Sequence, residues 1–119
     1  MTQDQHRDIL EQCALFDELF ANGNIGEMVD NFYHADAVLE GRGLAVVRGH
    51  RAIKRLFQDV RASYQSITIM PDPITFHGTL AYGTFTNHNT LNDGYLEIHR
   101  GIMIWLLDGG QWRVKHDFF

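Results

Sequence analysis

The chain has little of several features that would point to a particular class of protein. Its 119 residues include one cysteine, Cys13, so no disulfide can form within the chain. No apolar run approaches the roughly 20 residues that span a bilayer. The first residues also lack the basic and then apolar pattern of a signal peptide. We therefore expect a reducing, cytoplasmic location and no membrane partner.

A cluster of basic residues is missing as well. Ten Lys and Arg residues against 15 Asp and Glu residues give a net charge of −5, and the two signs are mixed along the sequence. Phosphate binding needs a concentrated basic face, so nucleic acid is not expected as a partner. The hydrophobic fraction of 45% and the charged fraction of 21% are ordinary for a globular protein. The length predicts one domain over residues 1–119 with a real core.

Motifs for nucleotide cofactors, zinc binding and acyl-enzyme chemistry are also absent. The segment 41–43 is too short for a phosphate-binding loop and precedes an extended segment instead of a helix. No serine has the surroundings of a nucleophile elbow. Cys13 lies on the apolar face of a predicted helix, which is typical of an inert core thiol. We expect no cofactor and no metal.

The first half of the chain predicts helices. Apolar residues at spacings of three and four predict helices over residues 5–21, about 25–32 and 50–63. Asn24 and Glu27 have the spacing of a capping box at the start of the second helix.

The rest of the chain predicts strands. Extended segments are expected over 37–40, 44–48, 66–70, 74–77, 80–91, 95–107 and 111–119. Helices followed by antiparallel strands predict an α+β fold in which one sheet face is buried against the helices. Long strands interrupted by glycine tend to curl, so we expect a cone-shaped sheet with a pocket inside.

Polar groups within the last strands are the most informative feature. If the turn before Tyr95 consists of Asp93 and Gly94 alone, Asn87 lies opposite Arg100. The face that carries both is otherwise apolar: Phe85, Leu96, Ile98, Ile102, Ile104 and Leu106. An inward Arg100 needs an internal carboxylate, Glu40 or Asp117, or an anionic ligand group. Arg100, Glu40 and Asn87 are therefore the candidate ligand-binding residues.

The opposite face of the same hairpin predicts a dimer interface. It mixes aromatic, Met, Thr and His side chains, as partner surfaces do: Tyr82, Thr84, Thr86, His88, Glu97, His99, Met103 and Trp105. In this register His88 and His99 are opposite each other near Glu97. Their spacing matches no known metal motif, so a partner surface is favoured over a metal site.

The last strand supplies the candidates for proton transfer. Trp112, Val114 and His116 alternate along one side, and this apolar pattern places His116 inside, as a general acid or base. Asp117 is the alternative base if the strand faces the other way. Tyr33, at a junction between helix and strand, could donate a phenol hydrogen bond into the pocket.

Three segments resemble a known superfamily. The runs 25–39, 48–53 and 108–117 are similar, in order and spacing, to the SnoaL-like branch of the nuclear-transport-factor-2-like superfamily. The resemblance implies a cone-shaped α+β fold, a central pocket and commonly a homodimer formed through the sheet. It does not imply one chemistry, because the superfamily includes isomerases, cyclases, dehydratases, epoxide hydrolases and binding modules. Two positions where relatives carry a catalytic Asp hold Gly41 and Ala21 here.

Two functions remain open. The first is a cofactor-independent isomerase, lyase or hydrolase that moves a proton on a small, mostly apolar ligand bearing a carbonyl or carboxylate. The second is a non-catalytic ligand-binding or dimerisation module of the same fold. The first requires a pocket in which a titratable group reaches the ligand.

Overall fold

The computed structural model describes residues 2–119, with side chains described from Asp4 onward. Over these residues the chain forms three helices: α1 (Thr2–Ala21), α2 (Ile25–Phe32) and α3 (Gly49–Ser63). Its seven strands are β1 (Tyr33–Glu40), β2 (Val47–Arg48), β3 (Tyr64–Pro71), β4 (Thr75–His77), β5 (Leu80–Leu91), β6 (Leu96–Asp108) and β7 (Gln111–Phe118). The predicted order of helices and strands is confirmed. In the described part of the chain, no helix is long and apolar enough to cross a membrane.

The helices form where the apolar spacing predicts them. The buried face of α1 carries Ile9, Cys13, Phe16 and Phe20, which recur at helical intervals. Gly23, with φ of +79°, ends this helix because its backbone adopts the left-handed conformation that glycine tolerates. The predicted capping box is wrong, since within the described chain no amide of α2 donates a hydrogen bond to the side chain of Asn24.

The strands form one curved sheet in the order β2-β1-β7-β6-β5-β3, with β4 paired to β5. β1 and β7 run parallel, and the other neighbouring strands are antiparallel. The helices cover one face of the sheet. The core between them is rich in aromatic side chains: Phe16, Phe20, Phe32, Tyr33, Phe57, Phe85, Trp105 and Trp112. This is the α+β arrangement that the sequence predicts.

The β5–β6 hairpin has a longer turn than expected. Leu91 donates its amide to the Tyr95 carbonyl at 2.8 Å, which leaves a three-residue loop that ends at Gly94 with φ of +91°. Asn87 therefore pairs with His99, and Thr86 pairs with Arg100. The predicted two-residue turn is wrong. Because side chains alternate along a strand, the one-residue shift exchanges the two faces of β6.

The exchange of faces corrects the predicted interface. Met103 and Trp105 are buried, whereas Ile98 and Ile102 are exposed. On β5, the residues predicted to lie on the outer face do so. On β6, the outer face instead carries the residues that were predicted to point inward. His88 lies opposite Ile98 and not opposite His99.

A bulge in β7 decides which way its last residues face. Trp105 pairs with Val114 and Ile104 pairs with His116, so Lys115 is an extra residue in this strand. Trp112, Val114 and Asp117 consequently share the buried face. The alternation that placed His116 inside holds for the first half of the strand and reverses after the bulge.

Candidate functional site

A cavity of about 110 Å³ lies between the helices and the concave face of the sheet. Most of its wall is apolar: Phe16, Leu44, Leu56, Phe57, Val60, Ile67, Ile69, Met103 and Phe119. Four polar residues complete the wall: Tyr33, Asn87, Asn89 and Asp117. An apolar cavity with a few converging polar groups is the usual form of a small-molecule site.

Asp117 is the buried carboxyl group of this wall, with 4% of its surface exposed. Its Oδ2 accepts a hydrogen bond of 3.0 Å from the Tyr33 hydroxyl. Its Oδ1 is also buried and has no hydrogen-bond partner among the described residues. Burial raises the pKa of Asp117 to about 7, against a smaller lowering by the Tyr33 hydrogen bond. The carboxyl group can therefore exchange a proton near neutral pH.

Tyr33 is positioned where α2 ends and β1 begins, as the sequence predicts. Its ring packs against Phe32 and Phe57, with centroids 5.0 Å and 5.9 Å away. Burial, together with the charge of Asp117, raises the pKa of the phenol well above its ordinary value. The hydroxyl group therefore remains a protonated donor to Asp117.

Asn87 and Asn89 occupy alternate positions of β5 and so face the same side of the sheet. They pair with Ile69 and Ile67 of β3. The Oδ1 atoms of both are buried, without a hydrogen-bond partner in the part of the chain that the structure describes. Sequence reasoning found Asn87 but missed Asn89. The alternation of strand side chains was the signal that could have found it.

A second carboxyl group with a raised pKa lies on α1. Asp17 accepts hydrogen bonds of 3.1 Å and 3.3 Å from the amide of Ile69, a residue of the edge strand β3. Burial raises the pKa of Asp17 to about 7, and the Ile69 amide offsets part of this effect. Sequence reasoning missed Asp17, which follows the buried Phe16 and lies one turn after Cys13.

Cys13 is buried beside these acids. Burial raises the pKa of its thiol above the ordinary value, and the charges of Asp17 and Asp117 raise it further. The thiol therefore stays protonated, as expected for a core cysteine.

Three of the predicted site residues lie outside the cavity wall. Arg100 is on the outer face with 67% of its side chain exposed, and it pairs with Asp72 at 3.3 Å. It contacts neither Glu40 nor Asp117, because the register shift turned it outward. His116 and Glu40 form a pair at 3.0 Å on the face opposite the cavity. No cluster of His, Cys, Asp or Glu that could hold a metal occurs among the residues described.

Comparison with known proteins agrees with this architecture. The sequence profile of the SnoaL-like domain matches residues 14–114. A protein of unknown function from Mycobacterium tuberculosis has 18% identity and a TM-score of 0.85, over 98% of this chain and 71% of its own. An NTF2-like protein with a cystatin-like fold from Novosphingobium aromaticivorans has 16% identity and a TM-score of 0.77, over 98% and 81%.

A ketosteroid isomerase-like protein from Erwinia carotovora atroseptica has 14% identity and a TM-score of 0.71, over 91% of this chain and 89% of its own. No curated protein sequence matches this chain. At these identities the structures show a shared fold and do not transfer an activity. With the profile matching most of its length, the chain belongs to the SnoaL-like domain family, and it shares the fold of the NTF2-like protein.

Proposed function

We propose that the protein is a cofactor-independent enzyme that moves a proton on a small, mostly apolar molecule held in the cavity. Asp117 is the general acid or base, and Tyr33 holds its carboxyl group in place. The reaction class is isomerisation, elimination or hydrolysis. One observation carries this proposal: a carboxyl group in an apolar cavity has a free oxygen and titrates near neutral pH.

The wall of the cavity supports such a step. In the base form, Asp117 takes a proton from the carbon next to a ligand carbonyl, and the electron pair moves onto the carbonyl oxygen. Asn87 and Asn89 also line the cavity, and an amide side chain can turn its NH₂ group to donate to the resulting enolate. Return of the proton from Asp117 to a carbon of the enolate completes an isomerisation. Apolar side chains form the rest of the wall.

Exchange of carbon-bound protons tests this role of Asp117. Acetophenone is a neutral ketone of one ring whose methyl protons exchange with deuterium when a base removes them. In D₂O the wild-type protein should accelerate this exchange, at a rate that rises as pD increases through about 7. Asp117→Asn should slow it by at least about 100-fold. Proton NMR of the methyl signal measures both rates.

His116→Gln is the matched control. The imidazole lies next to Asp117 in sequence but pairs with Glu40 on the other side of the sheet. The variant should therefore exchange as fast as the wild type. Equal rates for wild type and Asp117→Asn would contradict the enzymatic proposal, and the cavity would then belong to a binding module.

We also propose that the protein forms a homodimer through the outer face of the sheet. Six large apolar residues on this face are between 37% and 60% exposed: Met70, Leu80, Tyr82, Leu96, Ile98 and Ile102. They lie on the neighbouring strands β3, β5 and β6. Large apolar side chains exposed together on one face are typical of an interaction site.

A further inference from the structure

The polar end of the cavity contains hydrogen-bond acceptors without partners. Asp117, Asn87 and Asn89 each have a buried side-chain oxygen that receives no hydrogen bond from the described chain. A buried acceptor without a donor carries a free-energy cost, because it has lost its hydrogen bond to water. A ligand that brings a donor group removes this cost, whereas a purely apolar ligand leaves it in place.

The wall also lacks a positive charge. None of the described residues that line the cavity is Lys, Arg or His. Arg100 and His116, which the sequence placed inside, pair with Asp72 and Glu40 elsewhere. An anionic group placed in this cavity would have no counter-charge, and burying an unpaired charge is strongly unfavourable.

The groups that face Asp117 make an anion still less favourable. Tyr33 of β1 is a neutral donor to Asp117. The helix α1 presents Cys13, a neutral thiol that lies near both Asp117 and a second acid, Asp17. Across the sheet β6 presents the apolar Met103, and α3 presents the apolar Phe57 to the same cavity.

The dimensions favour one ring. A cavity of about 150 Å³ in another protein holds benzene, and this one is about 110 Å³, with the exposed Leu44 and Phe119 in its wall. Phe16 and Phe57 provide aromatic surface in its wall. An aromatic ring can pack against such surfaces edge to face.

We infer that the cavity selects a neutral, hydroxyl-bearing aromatic molecule of one ring and rejects a carboxylate of the same size. The ligand hydroxyl donates to Asp117, and its ring packs against the apolar wall. This inference rests on the ligand site proposed above and specifies the class of molecule that the cavity binds. The sequence left open a carbonyl or a carboxylate as the polar group of the ligand, and this inference excludes the carboxylate.

Three probes of nearly equal size test the selection: phenol, toluene and benzoate. Binding is measured on the wild-type protein by calorimetry and by the NMR signals of the Asn87 and Asn89 side-chain amides. At pH 8.5 phenol should bind at least tenfold more tightly than either of the other two. Because a charged acceptor makes the stronger hydrogen bond, phenol affinity should rise at least threefold between pH 5.5 and pH 8.5.

Asp117→Asn separates the role of the carboxylate from that of the ring. In this variant phenol affinity should no longer depend on pH, whereas in the control His116→Gln it should change as in the wild type. Benzoate binding as tightly as phenol, or toluene doing so, would overturn the inference. Phenol selection without acetophenone exchange would contradict the proposed catalysis alone. Acetophenone exchange together with tighter binding of benzoate than of phenol would contradict the inferred ligand class alone.

Discussion

Asp117 shows how the surroundings of one side chain change its chemistry. An exposed aspartate ionises near pH 4, but this one lies in an apolar wall that disfavours its charged form. Asp17, beside the edge strand, is raised to about the same value by the same cause. In both cases the folded-state pKa exceeds the unfolded value. Their contribution to stability is therefore full below about pH 4, declines as pH rises towards about 7, and is constant above it.

Asp117→Asn should remove part of this pH dependence. Between pH 5 and pH 8, the free energy of unfolding of the wild type should fall relative to that of the variant by about 2–3 kcal/mol, at about 1.4 kcal/mol per unit of pKa difference. Urea denaturation at the two values measures the difference. The exposed Asp59 gives a control, since Asp59→Asn should change with pH as the wild type does. If the free energy of unfolding changed with pH equally in wild type and Asp117→Asn, Asp117 would not be desolvated.

The positions of the helices and strands could be predicted from the sequence. Which side chains of the strands point inward could not. Helix positions followed from the spacing of residues such as Ile9, Cys13 and Phe16, because a helix face has a fixed period. In the strands, one extra residue reverses the faces. The turn before Tyr95 has one residue more than predicted, and this turned Arg100 outward. The bulge at Lys115 turned Asp117 inward. Neither leaves a pattern in the local sequence that decides it.

Gly101 shows a similar constraint within β6. A Cβ atom at this position would lie 2.0 Å from the Phe118 carbonyl oxygen and 2.6 Å from the Phe85 ring. Gly101→Ala should therefore force the strands apart and lower the free energy of unfolding by at least about 3 kcal/mol. Gly26 of α2 has nothing within 4 Å of such an atom. In the same urea assay, Gly26→Ala should be neutral or up to about 1 kcal/mol stabilising, and an equal loss in both variants would contradict the packing argument.

At the scale of the whole molecule, the curved sheet has two different faces. The concave face and the helices enclose the cavity, and the outer face leaves Ile98 and Ile102 exposed at 60% and 46%. The sequence placed these residues inside, since apolar side chains are usually buried. The exposure of these apolar side chains supports the dimer interface proposed for the outer face.

Replacing Ile98 and Ile102 with lysine should convert the proposed dimer into a monomer, because the interface would then bury two unpaired charges. Sedimentation velocity of wild type and variant measures the change. Leu10 on α1 is similarly exposed, at 41%, and Leu10→Lys should leave the dimer intact. A wild type that sediments as a monomer, or a double variant that remains a dimer, would contradict this interface.

The sequence by itself determined the helices, the order of the strands along the chain and the family. These depend on local periodicity and on motifs that follow one another in the sequence. It also identified Tyr33, Asn87 and Asp117 as candidates. Only the tertiary structure decided which of them meet. The length of the β5–β6 turn and the bulge in β7 decided which side chains of β6 and β7 point inward. Both features depend on how strands pair in the folded sheet. That geometry left Asp117 buried beside Tyr33 and placed Arg100, Glu40 and His116 outside.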